Sequence, residues 1–132
     1  MPAAVTIAQA ILESDWGQSL LSAKGYNFFG IKAITEPGPA GTISMDTWEV
    51  ENGQNVAMQS AFKAYHNLAE SVLDHGMFLV ENPRYAPTFK FSDPAKFARQ
   101  IAATGYATDP AYPGKLIALI QQYSLAKYDT AP

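Results

Sequence analysis

The sequence contains no cysteine, so disulfides and thiolate metal sites are excluded. No run of lysine and arginine occurs anywhere in it. Phosphate binding needs clustered cations, and a nucleic-acid surface is therefore not expected. No apolar stretch approaches the ~18 residues of a membrane span. The opening residues, "MPAAVTIAQA", lack the basic segment of a signal peptide, so no export signal is read in this chain. His66 and His75 are the only histidines, and no His-Glu-x-x-His pattern joins them. Zinc has little to bind, and neither a metal nor a cofactor is expected. A Gly-x-Ser-x-Gly elbow and a glycine-rich phosphate loop are also missing.

What is present describes a globular chain. At 132 residues the length suits one domain with a single core. Hydrophobic residues make up 48% and charged residues 16%, which is too apolar for disorder. Aromatics reach 12%, which fits both a well-packed small core and a carbohydrate-binding cleft. No repeat, low-complexity tract or linker divides the chain.

The first helix is expected from about Ala3 to Trp16. Val5, Ala8, Leu12 and Trp16 share one face at spacings of three and four. Ile7, Ala10 and Ile11 cover much of the opposite side. What remains is a narrow polar stripe of Thr6, Gln9 and Glu13, within about 60° of arc. A helix apolar on two sides is buried on two sides, so the stripe is expected to face a polar cleft. A short helical piece follows in "QSLLSAK", then the aromatic turn "NFFGIKA" and the loop "EPGPAG". Residues 42–63 favour two strands, near 42–50 and 55–63, around the Asn-Gly turn of "ENGQ". Asn67 and Glu70 form a capping-box-like start to a helix that Pro83 stops. Asp93, Pro94 and Gly105 bound another helix, and a last one is expected from about Asp109 to Ala126.

Glu13 is the residue that asks for an explanation. A carboxyl between apolar walls is penalised when ionised, so its pKa rises. A raised carboxyl pKa is what a general acid near neutral pH requires. The structural alternative is a partly buried Glu paired with a cation or a backbone amide. Glycoside hydrolysis normally uses a second carboxylate, and the hairpin offers Asp46, Glu49 and Glu51. Such groups also serve as solvated edges that discourage aggregation. In "GYATDPAYPGKL", Tyr106 and Tyr112 bracket a turn, where they either stack on sugar rings or pack beneath the turn.

The stretches "TIAQAILESDWGQS", "NFFGIKA", "TWEVENG", "FKAYHNLAESVLDH", "NPRYA" and "GYATDPAYPGKL" together span nearly the whole chain. In this order they resemble the peptidoglycan N-acetylglucosaminidases of glycoside hydrolase family 73, which include the flagellar rod muralytic domain and many autolysins. The resemblance implies an α+β, lysozyme-like fold, mostly helical, with one β-hairpin lobe over the cleft. It implies one catalytic domain over residues 1–132, lacking the N-terminal helix usual in the family. That lack is expected to expose core surface on the Val5 face. Glu13 matches the family's catalytic acid, Glu49 its second carboxylate and Tyr106 the tyrosine beside the cleaved sugar. Gln9, Asn27, Phe28 and Tyr112 are expected to bind substrate. The implied partner is the peptidoglycan glycan strand, outside the cytoplasm, with wall-binding or flagellar domains beyond this chain. The readings that compete are a muramidase or lytic transglycosylase of the same general fold, and a non-catalytic wall-binding module.

Overall fold

The computed structural model describes the backbone of residues 1–129 and their side chains other than those of residues 48–51. In chain order the elements are α1 (Ala3–Ser14), α2 (Leu20–Gly25), β1 (Thr42–Glu51), β2 (Gln54–Lys63), α3 (Leu68–Glu81), α4 (Pro94–Ala103) and α5 (Tyr112–Gln122). Two 3₁₀ segments, Pro83–Lys90 and Leu125–Asp129, follow α3 and α5. This is the expected α+β arrangement of helices with one inserted hairpin. Among the described residues no helix is long and apolar enough to cross a membrane.

The core forms where α1, α4 and α5 meet. Ala4, Val5 and Ala8 of α1 pack with Phe97, Ala98 and Ile101 of α4 and with Leu116 and Ile120 of α5. Leu79 of α3 and Tyr85 of the first 3₁₀ segment join them. The small residues of α1 let its neighbours approach closely, and each fully buried large side chain contributes about 1.5–3 kcal/mol.

The Val5 face is not exposed, contrary to the sequence expectation: Val5 has 0% of its surface accessible. The C-terminal segment covers it. Helix α5 ends sooner than its pattern predicts, because Ser124 adopts a left-handed conformation (φ 52°) and turns Leu125 into the core. The chain then runs as the 3₁₀ segment to Asp129, whose carboxylate accepts hydrogen bonds from the Ala3 and Ala4 backbone N–H groups. Pro2, at the N-cap of α1, supplies no side-chain bond. The start of α1 is therefore capped from the far end of the chain, where orphan N–H groups and the helix dipole both favour an anion.

Other boundaries follow local chemistry. Helix α1 stops at Ser14, two residues before the expected end, because Asp15, Trp16 and Gly17 all have positive φ. Asn52 and Gly53 do the same at the hairpin tip (φ 50° and 77°), as a two-residue turn of primed type requires. The resulting register pairs Glu49 with Val56 and Ile43 with Phe62. In β2 only Phe62 is buried, so the hairpin is anchored at its base and exposed beyond it. At α3 the Asn67 side chain accepts from the Glu70 N–H, while the Glu70 carboxylate reaches back to the His66 N–H rather than to that of Asn67.

Replacing Asp129 by Ala should leave two N–H groups of α1 without their cap. The expected loss is about 0.5–2 kcal/mol of unfolding free energy, read from urea denaturation midpoints at an unchanged slope.

Candidate active site

A cleft of about 900 Å³ opens between the helical body and the base of the hairpin. Its walls come from α1 (Leu12, Glu13), the loop after α2 (Phe29, Lys32), α3 (Asp74, His75, Phe78), the turn before α5 (Tyr106, Asp109) and the first residue of α5, Tyr112. Of the hairpin's described side chains only Lys63, at its base, reaches it.

Glu13 lies in the last turn of α1 and opens into this cleft. Glu13 as a residue is open to solvent, but the partial burial of its carboxyl among the cleft walls pushes it above the usual range, partly offset by a hydrogen bond from Tyr112. Its place at the negative end of the helix dipole acts in the same direction as burial. The sharp left-handed turn that follows keeps α1 from continuing beyond the acid.

Gln9 sits one helical turn below Glu13 and is wholly buried. Its Nε2 donates to the Tyr112 hydroxyl at 3.0 Å. Tyr112 thus accepts from Gln9 and donates to Glu13, tying two residues of α1 to the first residue of α5. The polar stripe of α1 therefore divides: Glu13 faces the cleft, Gln9 supports Tyr112 from beneath, and Thr6 borders a separate apolar groove along α3. Gln9 was expected to bind substrate directly, and its burial places it behind the cleft wall instead.

Tyr106 enters the cleft from the turn after α4. Gly105, at φ 86°, begins that turn, and the Arg84 guanidinium clamps it by donating to the carbonyls of Thr104 and Gly105. A Cβ at position 105 would lie 2.4 Å from the Arg84 guanidinium, so the clamp needs glycine there. The Tyr106 and Tyr112 rings lie 5.7 Å apart, and burial with Glu13 close by raises the pKa of both phenols. Both hydroxyls therefore keep their protons. Asp109 of the same turn is exposed and pairs with Lys115 at 2.7 Å, which holds its carboxyl below the usual range.

The aromatic turn behaves differently from its sequence expectation. Asn27 is buried, its amide donating to the carbonyls of Ile31 and Lys63 and its oxygen accepting from the Ile31 N–H. With these bonds made, it shapes the loop rather than the ligand surface. Phe28 is half-buried beside Gly17 and does not line the cleft, whereas Phe29 does. The Glu49 side chain lies outside the described residues.

Sequence reasoning gave His75 no part in the cleft. Its ring stacks on Phe29 at 3.9 Å, and its Nε2 lies 3.0 Å from the Tyr106 hydroxyl. Burial lowers its pKa to about 4, against an opposing pull from Asp74. No periodicity could announce its contact with Tyr106, because the two residues come from different elements.

A carboxyl raised in pKa and two protonated phenols lining one cleft can offer hydrogen bonds to an oxygen-rich ligand such as a sugar. The sequence profile of the family "Glucosaminidase: Mannosyl-glycoprotein endo-beta-N-acetylglucosaminidase" matches residues 1–125. The chain belongs to this glucosaminidase family. It is 38% identical over 130 residues to the exo-glucosaminidase LytG of Bacillus subtilis, covering 95% of this chain and 45% of that protein. It is 39% identical over 127 residues to the peptidoglycan hydrolase FlgJ of Salmonella typhimurium, covering 92% and 40% respectively. The chain thus spans less than half the length of these curated relatives. The catalytic domain of the autolysin Auto from Listeria monocytogenes superposes with a TM-score of 0.83 at 32% identity, over 96% of this chain and 74% of that one. The lysozyme-like α+β fold expected from the sequence is the fold of this glucosaminidase domain.

Tyr112→Phe should raise the Glu13 pKa further, because the donated bond that lowers it is lost. It should also cost about 1–3 kcal/mol of stability by leaving the buried Gln9 amide unpaired. Carbon-detected NMR titration of the Glu13 carboxyl, beside a denaturation curve, checks both signs.

Proposed function

We propose that this domain hydrolyses peptidoglycan at the β-1,4 bond that follows N-acetylglucosamine, with Glu13 as the general acid. The observation that carries the reading is the Glu13 carboxyl, raised in pKa by burial, opening into a cleft walled by Tyr106 and Tyr112. The names of the relatives, an exo-glucosaminidase and a peptidoglycan hydrolase, support the same substrate. Glu13 delivers its proton to the glycosidic oxygen, so the leaving sugar departs as a neutral alcohol. Tyr106 orients the 2-acetamido group of the sugar being cleaved. Glu49, carried by β1, is the second carboxylate: in an inverting reaction it activates water, and in a substrate-assisted reaction the acetamido oxygen attacks in place of an enzyme nucleophile. The substrate places the site of action outside the cytoplasm, and the greater length of the relatives supports further domains beyond this one.

Glu13→Gln keeps the shape and removes the transferable proton. Hydrolysis of a cell-wall suspension should fall about 10²–10⁴-fold. Stability should move the other way. A carboxyl whose folded pKa lies above its unfolded value is penalised when ionised, so the penalty is absent below the unfolded pKa and complete above the folded one. Glu13→Gln should therefore be at least as stable as the parent at pH 7, with the difference vanishing as pH falls below ~4. A folded variant with parental turnover would refute the assignment.

The bond cut is read from the products. Cleavage after N-acetylglucosamine creates a reducing end on that sugar, so borohydride reduction of the digest should yield N-acetylglucosaminitol by mass spectrometry. A muramidase would give N-acetylmuramitol. A lytic transglycosylase would give a 1,6-anhydro end that resists reduction. A non-catalytic module would release nothing.

A further inference from the structure

His75 is the buried titratable group that the proposed mechanism leaves unused. It is 1% exposed, in the middle of α3, with one ring face against Phe29 and its edge toward Tyr106. Its two nitrogens differ. Nε2 meets the Tyr106 hydroxyl at 3.0 Å, whereas Nδ1 is buried and has no hydrogen-bond partner among the described residues.

That difference selects a tautomer. A neutral imidazole carries one N–H and one lone pair. A buried N–H without an acceptor is rarer, and costs more, than an acceptor that goes unused. The proton therefore belongs on Nε2, where an oxygen stands ready to accept it, and the lone pair belongs on the isolated Nδ1. The ring is neutral at the pH of a cell wall, since burial holds its pKa near 4. Asp74, the preceding residue on α3, is committed elsewhere: its carboxylate accepts from the Tyr65 hydroxyl and from Lys63.

From this geometry we infer that His75 is a positioning residue: its Nε2–H donates to the Tyr106 oxygen and so turns the Tyr106 O–H away from α3, toward the side of the cleft shared by Glu13, Tyr112 and the ligand. The opposite tautomer would make Tyr106 donate to His75 and present only lone pairs to the cleft. With the phenol O–H aimed at the ligand, the group it meets is an acceptor, and on an N-acetylated sugar that is the carbonyl oxygen of the 2-acetamido group. Stacking on Phe29 fixes the ring plane and hence the direction of the Nε2–H bond. The inference rests on the glucosaminidase reading for the identity of the sugar, but the tautomer itself does not depend on it.

Two measurements test this. Long-range ¹H–¹⁵N correlation spectra of the intact protein at pH 7 report which ring nitrogen is protonated. The His75 pattern is assigned by its disappearance in His75→Phe, which leaves exposed His66 in place. The expected pattern is a proton on Nε2 alone, and a proton on Nδ1 alone would overturn the inference whatever the activity. The second measurement is a cycle of His75→Phe, Tyr106→Phe and the double variant on a soluble glycan fragment. His75→Phe keeps an aromatic ring beside Phe29 and removes the donor. Its kcat should fall about tenfold, the scale of one hydrogen bond, with KM changed less than about twofold. In the Tyr106→Phe background the same change should cost nothing further. Independent, multiplying losses in the double variant would mean that His75 acts through general packing, and would overturn the positioning role. Should the digest carry no N-acetylglucosaminitol, the glucosaminidase reading fails while the tautomer result stands by itself.

Discussion

The contact between α1 and α5 is the constraint on which the rest of the site depends. Small side chains on α1 bring its backbone close to α5, and through that gap the Gln9 amide reaches the Tyr112 hydroxyl. Inside a protein such a bond is strong, and breaking it leaves a buried donor that must be desolvated for nothing. It therefore fixes the depth at which α5 begins relative to α1. The Tyr112 hydroxyl is thereby held where it can donate to Glu13, and the Tyr106 ring lies beside it. One packed helix pair thus sets the position of the Glu13 carboxyl and supplies the hydrogen bond that tempers the rise in its pKa.

That arrangement carries a cost that other parts of the fold offset. Ionised Glu13 is disfavoured by its surroundings and by the helix end it occupies. Three successive left-handed residues follow it, two of them not glycine, and conformations of this kind cost roughly 1–2 kcal/mol for a residue with a side chain. The other end of the same helix is where the compensation lies. There the Asp129 carboxylate meets two backbone donors, and Val5 and Ala8 are sealed in the core. The acid end of α1 is strained and open, and its opposite end is capped and closed.

Much of this was legible in the sequence, and the parts that were not share a cause. Helix spans, the Asn-Gly turn and the Asn67 and Asp93 caps follow from local chemistry, so the pattern shows them. The isolation of Glu13 on an apolar helix was equally plain. Long-range pairings were not. Asp129 over the start of α1, Gln9 under Tyr112 and His75 against Tyr106 each join residues far apart in sequence, and neither partner carries a mark of the other. Burial misled in the same way. The polar stripe of α1 was read as one surface because helical arc alone cannot say that α5 begins directly above Gln9. The 3₁₀ segment Pro83–Lys90 escaped notice because prolines at both 83 and 87 suggest a loop, yet it places Tyr85 in the core and Arg84 over the Tyr106 turn.

The two halves of the cleft are built on different physical terms. Glu13, Tyr106, Tyr112 and His75 are all held by buried contacts of the helical body, and their geometry is set before any sugar arrives. The hairpin is a two-stranded ribbon that residues 31–33 join only at its base, beside Phe62, the single buried side chain of β2. A ribbon of that kind gains little stability from its own packing. In the proposed reaction, proton donation and orientation of the sugar fall to this preorganised body, where fixed dipoles are most effective.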